Sequence, residues 1–274
     1  MPAEDLLRDG DVAGALDALQ ADVRARPQDA RLRIFLFQLL CVTGAWERAV
    51  RQVKVAAELD PAAEQMARAY REAIVCELYR EKVFAGEKAP LVFGEPNRWV
   101  ALLIEALKPL AAGDAAKAAE LRAEAFEMAP STSGQAGETP FAWIADADMR
   151  LGPVLELILD GKYYWAPFSS ITAMRFEEPN DLRDRVWTAV EITTAAGGEV
   201  VGFIPTRYPG SSTAADPLKL SRATEWVDAG AETYLGLGQR LLATDADDLP
   251  LMDLRQITLT PEGGTSDQEA GADG

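Results

Sequence analysis

The residues able to do chemistry in this sequence gather in its second half. The run Ala145-Asp146-Ala147-Asp148-Met149-Arg150 sets carboxylates two residues apart, a spacing that could offer oxygen ligands to a divalent cation. Asp181, Arg183, Asp184 and Arg185 form a second charged cluster just before Trp187. In both stretches cations sit beside the anions, and a helix start is expected at Gly152-Pro153. Ion pairing and helix capping are therefore the readings the pattern favours over a metal site or acid–base work. An enzyme built here, hydrolase-like or metal-dependent, would have to draw Asp146, Asp148, Arg183 and Asp184 into one pocket. The chain has no histidine, which removes histidine triads, His-Glu-x-x-His zinc sites and imidazole proton shuttles together. No Gly-x-x-x-x-Gly-Lys-Ser/Thr run occurs, and Gly236-Leu237-Gly238-Gln239-Arg240 lacks the later glycine and the preceding strand of a dinucleotide fingerprint. The sequence predicts no enzyme: no catalytic residue, no bound metal and no cofactor.

Composition narrows the partners. Against 27 Lys and Arg stand 44 Asp and Glu, a formal charge of −17 that repels phosphate backbones and anionic lipid headgroups. Nucleic acid and membrane insertion are excluded as expectations, and a protein partner is left. Hydrophobic residues make up 48% of the 274, close to ordinary globular usage. Cys41 and Cys76, the only cysteines, both fall in apolar helical stretches, which suits buried free thiols in a reducing, cytoplasmic setting. Neither an export signal nor an apolar run of membrane-spanning length is visible.

The elements that must carry these residues begin with a repeat. Gly10, Ala15 and Pro27 recur as Gly44, Ala49 and Pro61, each shifted by 34 residues, and the frame returns as Gly113, Ala118 and Pro130. Thirty-four is the tetratricopeptide period. The glycines suit the tight turn between paired helices, the alanines suit close helix contact, and the prolines end the second helices. Apolar residues at helical spacing, such as Leu16, Leu19 and Val23 or Leu32, Phe35, Leu36 and Leu39, mark core faces. A longer helix is predicted from Ala62 to about Ala85, a break from Gly86 to Pro96, and a closing pair over Trp99 to Ala111 and Ala115 to Met128. Residues 1–130 thus read as a tetratricopeptide-like α-α superhelix, whose concave groove suits a peptide or helix.

Past a Ser, Thr, Gly and Gln-rich loop at Ser131 to Thr139, the period changes. A short helix is expected from Gly152-Pro153 through Leu159. Strands are expected at Tyr163 to Trp165, at Ile171 to Phe176, in a hairpin pairing Val186 to Thr194 with Glu199 to Ile204, and at Gln256 to Leu259. Residues 140–260 read as a smaller α+β domain with a mostly antiparallel sheet, so the fold class is multidomain α+β. Residues 261–274, with four acids and no base, read as a disordered acidic tail. Aromatic and Arg residues dominate protein-binding hot spots. The candidate partner contacts are Arg33, Phe37, Trp46 and Tyr70 in the helical half. In the second half they are Arg207 and Tyr208 after Pro205, with Gln239 and Arg240, which are expected to be exposed.

The motifs of the second half come in a telling order. Asp146-x-Asp148-x-Arg150-Leu151-Gly152-Pro153 is followed by Gly161-Lys162-Tyr163-Tyr164-Trp165-x-Pro167-Phe168 and by Pro179-x-Asp181-Leu182-Arg183-Asp184-x-x-Trp187. Ile204-Pro205-x-Arg207-Tyr208, Thr224-Glu225-Trp226 and Gly236-Leu237-Gly238-Gln239-Arg240 complete the series. This order resembles the ImpE family, also called TagJ, and with the helical half the resemblance spans nearly the whole chain. It implies a cytoplasmic, non-catalytic accessory protein of bacterial type VI secretion. The implied partner is the small contractile-sheath subunit, bound through its N-terminal helix, and the implied role is modulation of sheath assembly or of disassembly by the ClpV unfoldase. It supplies no catalytic residues.

Overall fold

Asp11, Asp29 and Asp114 each turn a carboxylate onto backbone N–H groups of the turn that follows, and each opens a helix. In the computed structural model, which describes residues 1–95 and 97–261, the helices of the first half are α1 (Ala3–Asp9), α2 (Val12–Ala25), α3 (Ala30–Val42), α4 (Trp46–Leu59), α5 (Glu64–Phe84), α6 (Arg98–Ala111) and α7 (Ala115–Met128). The repeat frame is visible in this order. Gly10, Gly44 and Gly113 lie in the turns α1–α2, α3–α4 and α6–α7, all at positive φ, and Ala15, Ala49 and Ala118 are fully buried where helices meet. At Gly44 a side chain would also strike Ser212 from the second half. The array is irregular at α5, 21 residues long, which buries Tyr70, Ala73, Ile74, Cys76, Glu77, Arg80 and Val83. No helix among the described residues is long and apolar enough to cross a membrane.

The strands are β1 (Leu91–Val92), β2 (Ser133–Ala136), β3 (Thr139–Phe141), β4 (Ile144–Asp146), β5 (Val154–Leu159), β6 (Lys162–Pro167), β7 (Ile171–Phe176), β8 (Trp187–Thr194) and β9 (Glu199–Pro205). After the short helix α8 (Asp216–Lys219) come β10 (Thr224–Asp228), β11 (Tyr234–Gly238), β12 (Leu241–Thr244), β13 (Asp248–Pro250) and β14 (Gln256–Thr260). Nine form one sheet in the order β1-β6-β5-β9-β8-β7-β14-β2-β3, antiparallel throughout except where β1 runs parallel to β6. A three-stranded sheet β13-β12-β4 and the hairpin β10–β11 complete the set. Alternation along the strands divides the interior in two. Val154, Ile158, Tyr163, Trp165 and Trp187 face the helices and join their core, whereas Leu155, Leu157, Ala166, Val190 and Ile192 pack on the opposite side with Leu242, Leu251 and Ile257. Helices and sheet therefore share one apolar cluster.

Two expectations are corrected. The segment Val154–Leu159, expected as a helix, is a strand with all six residues buried, because it lies between two packed layers. A continuous apolar run does not reveal its period, and the preceding Gly152-Pro153 imitates a helix start. The stretch expected as a loop holds the hairpin β2–β3, whose small and polar residues pair at the far edge of the sheet. The hairpin β8–β9 closes where expected, with the Thr194 N–H donating to the Gly198 carbonyl at 2.8 Å. Beyond Pro261, the predicted acidic tail lies outside the described residues.

Candidate functional site

The motif residues converge inside the molecule, where α5 crosses the sheet. Glu156, at the middle of the wholly buried β5, points toward the helices and is completely enclosed. Arg80 of α5 meets it with Nε at 2.5 Å and Nη2 at 2.8 Å. The same Nη2 donates to the Arg207 carbonyl at 2.9 Å, and Nη1 reaches Glu77 at 3.2 Å. Glu77 in turn accepts the Trp187 indole N–H at 3.1 Å. The Tyr163 hydroxyl donates to Glu156 and accepts the Trp165 indole N–H at 2.8 Å. Arg240, fully buried, bridges Glu156 and Asp146 and gives its Nε to the Pro205 carbonyl at 2.9 Å.

From Asp146 the network continues through backbone. Its carboxylate accepts the Asp148 N–H at 2.9 Å, and Asp148 holds Arg150 through Nε at 2.9 Å and Nη2 at 2.5 Å while accepting the Gly236 N–H at 2.8 Å. Burial works to raise Glu156, but the charges and hydrogen bonds of Arg80, with Arg240 and Tyr163, overcome it and hold the carboxyl at about 2. For Asp146, burial outweighs the pull of Arg240, and the nearby Asp148 charge adds to it, pushing the carboxyl up to about 6. Arg207 plays a different part: Nη1 and Nη2 donate to the Val42 and Cys41 carbonyls at 2.7 and 3.2 Å, satisfying carbonyls at the buried C-terminal end of α3. Nη1 also reaches the Lys219 carbonyl at 2.8 Å. Burial pulls this guanidinium down to about 10.

This geometry sorts the predicted residues. Asp146 and Asp148 are brought together, yet their oxygens are taken up by arginines and backbone N–H groups rather than by a helix start. Arg183 and Asp184 stand apart from them: Arg183 lies over the Tyr70 ring at 4.8 Å and pairs with Asp181 at 2.7 Å, and Asp184 caps its own turn. The four do not form a pocket. Among the described residues no group of His, Cys, Asp and Glu side chains is arranged to hold a metal ion. The exposure expected of Arg207, Tyr208 and Arg240 is overturned, since all three are buried in the network or against it. Phe37, Trp46 and Tyr70 are buried as well: Tyr70 and Trp46 pack against Trp187, with ring centroids 5.6 and 6.0 Å away. Arg33 and Gln239 are half-buried and engaged locally, Arg33 with the Pro27 carbonyl at 2.8 Å and Gln239 with the Met252 N–H at 3.1 Å. Sequence reasoning missed Glu77, Arg80 and Glu156. The signal was present: Glu156 interrupts the apolar run Val-Leu-Glu-Leu-Ile-Leu, and Glu77 and Arg80 share the inner face of α5.

The likeness to known proteins spans both halves of the chain. The family model for the ImpE protein matches residues 138–258. A relative from Pseudomonas aeruginosa, described as type VI secretion system accessory component TagJ, is 48% identical over 262 residues, covering 95% of this chain and 92% of that protein. The chain belongs to the ImpE/TagJ family. A crystal structure of a protein from Vibrio parahaemolyticus matches the fold with a TM-score of 0.87 at 30% identity, covering 95% of this chain and 98% of the other. In this ImpE/TagJ protein the motif residues Asp146, Asp148, Arg150, Tyr163, Trp165, Trp187, Arg207, Tyr208 and Arg240 are internal. Tyr163, Trp165, Trp187 and Arg207 among them touch the helical layer, through Tyr79, Phe84, Glu77 and the end of α3 respectively.

Proposed function

We propose that this chain is a cytoplasmic, non-catalytic accessory protein of a bacterial type VI secretion system. It acts by holding the N-terminal helix of the small contractile-sheath subunit, and so modulates sheath assembly or disassembly by the ClpV unfoldase. The observation that carries the reading is the likeness, along 95% of the chain, to a relative named as an accessory component of that system. The internal chemistry favours binding over catalysis: the buried carboxylates with shifted acidity, Glu156 and Asp146, are enclosed and saturated by Arg80 and Arg240. Glu156 is fully buried and Asp146 is 3% exposed. Titration calorimetry of the full chain against a peptide copying that helix tests the reading. Saturable one-to-one binding is expected. No heat up to about a millimolar, weaker than roughly −4 kcal/mol, would overturn it.

A further inference from the structure

The outer face of α5 is as apolar in its second half as the inner face is charged. Val75, Leu78 and Tyr79 are exposed to 61%, 42% and 37%, and Leu91 of β1 beside them to 46%. Val75 and Leu78 are one turn apart, and Val75, Tyr79 and Leu91 line a single cleft of about 310 Å³ with Cys76, Lys162 and Tyr163. One wall of that cleft is an incomplete sheet edge, since β1 pairs only with Tyr164 and Trp165, so that the first residues of β6 open onto the cleft. A continuous apolar patch of this kind on a folded surface marks an interaction site.

Charge selects the occupant. Arg71 precedes Val75 by one turn, Lys82 follows Leu78 by one turn, and Lys162 closes the cleft, all exposed. Of the nearest carboxylates of α5, Glu72 stands against Gly161 at the cleft but is paired with Arg68 at 3.3 Å, and Glu81 accepts the Trp46 indole N–H at 3.1 Å. A chain of net charge −17 thus presents a cationic rim around its exposed apolar stripe. A second copy fits poorly: two stripes docked antiparallel about Val75 and Leu78 would set Arg71 against Lys82. From Arg71 to Lys82 the stripe runs roughly 16 Å, about three turns of a docked helix.

We propose that Val75, Leu78, Tyr79 and Leu91, rimmed by Arg71, Lys82 and Lys162, form the docking surface for an amphipathic partner helix with acidic flanks. The proposal rests on the sheath-subunit reading for the identity of that helix and places it on the outer face of α5. The test is calorimetry of the full chain with the N-terminal helix peptide of the small sheath subunit, using the parent protein, Leu78→Asp, the double variant Arg71→Glu with Lys162→Glu, and Val227→Asp on the β10–β11 hairpin. Leu78→Asp and the charge reversal should each weaken binding by about tenfold or more, and Val227→Asp should leave it unchanged. These positions are exposed, so matching thermal melting curves will show that the variants fold. Parent-like affinity in Leu78→Asp overturns the placement while sparing the sheath reading. Absence of binding by the parent protein sinks that reading and the occupant with it. A dimer in sedimentation that Leu78→Asp dissolves would assign the stripe to a second copy instead.

Discussion

Replacing Glu156 by Gln removes one charge from the centre of the molecule and almost no volume. The structure sets its cost. Holding the carboxyl at about 2 rather than the usual 4.5 corresponds to roughly 3 kcal/mol in favour of the folded state at neutral pH. That agrees with the 3–5 kcal/mol typical of breaking a buried ion pair, because Arg80 and Arg240 would each lose their shared counter-charge. The folded carboxyl is the stronger acid, so its contribution is complete above pH 4.5 and is lost as the pH falls toward 2. At pH 3 less than half of it should remain by the same linkage. Urea denaturation of the parent and Glu156→Gln proteins at both pH values gives the two differences directly. Asp146 titrates in both proteins and largely cancels. A difference below about 1 kcal/mol at pH 7, or one equal at the two pH values, would refute the claim that the arginines stabilise this carboxylate.

Asp146 should behave in the opposite sense. Its carboxyl is raised from 3.8 to about 6, so the stability it lends is present below pH 3.8 and is lost as the pH rises through 6. Asp146→Asn should therefore flatten the decline in the urea midpoint between about pH 4 and pH 6, and a course parallel to the parent would count against the shift. Gly238→Ala should destabilise by several kcal/mol: the residue sits at φ +86° with the Ala223 carbonyl inside contact distance of any Cβ, and a midpoint within about 1 kcal/mol of the parent would contradict that geometry.

Much of the helical half was legible because its signals are local. Gly10, Gly44, Ala15, Ala49, Pro27 and Pro61 fix turns, contacts and ends within one or two turns of themselves, and a period of 34 residues repeats the statement. The strands at Ile171, Trp187 and Glu199 were legible for the same reason, through alternation and a Gly-Gly turn. What failed was decided at a distance. Val154–Leu159 becomes a strand because layers close on both its faces, and the burial of Arg207 and Arg240 follows from partners as remote as Cys41 and Asp146. Arg and Tyr are at home in hot spots and in cores alike, and type alone does not separate the two.

That ambiguity bears on how the molecule works. A set of enclosed ion pairs is a weak source of net stability compared with an apolar filling of the same volume. What the set around Glu156 does specify is position, since Arg80 can reach Glu156, Glu77 and the Arg207 carbonyl together only when α5 lies at one register on β5. The face of α5 that carries Arg80 is thereby fixed, and so is the opposite face that carries Val75, Leu78 and Tyr79. Residues that never touch a partner then determine where the docking stripe stands relative to Leu91 and Lys162. On this view Glu156→Gln should weaken peptide binding as well as folding, although Glu156 lies beneath the stripe and not in it. Parent-like affinity in a folded Glu156→Gln protein would separate the two faces and leave the network a purely internal role.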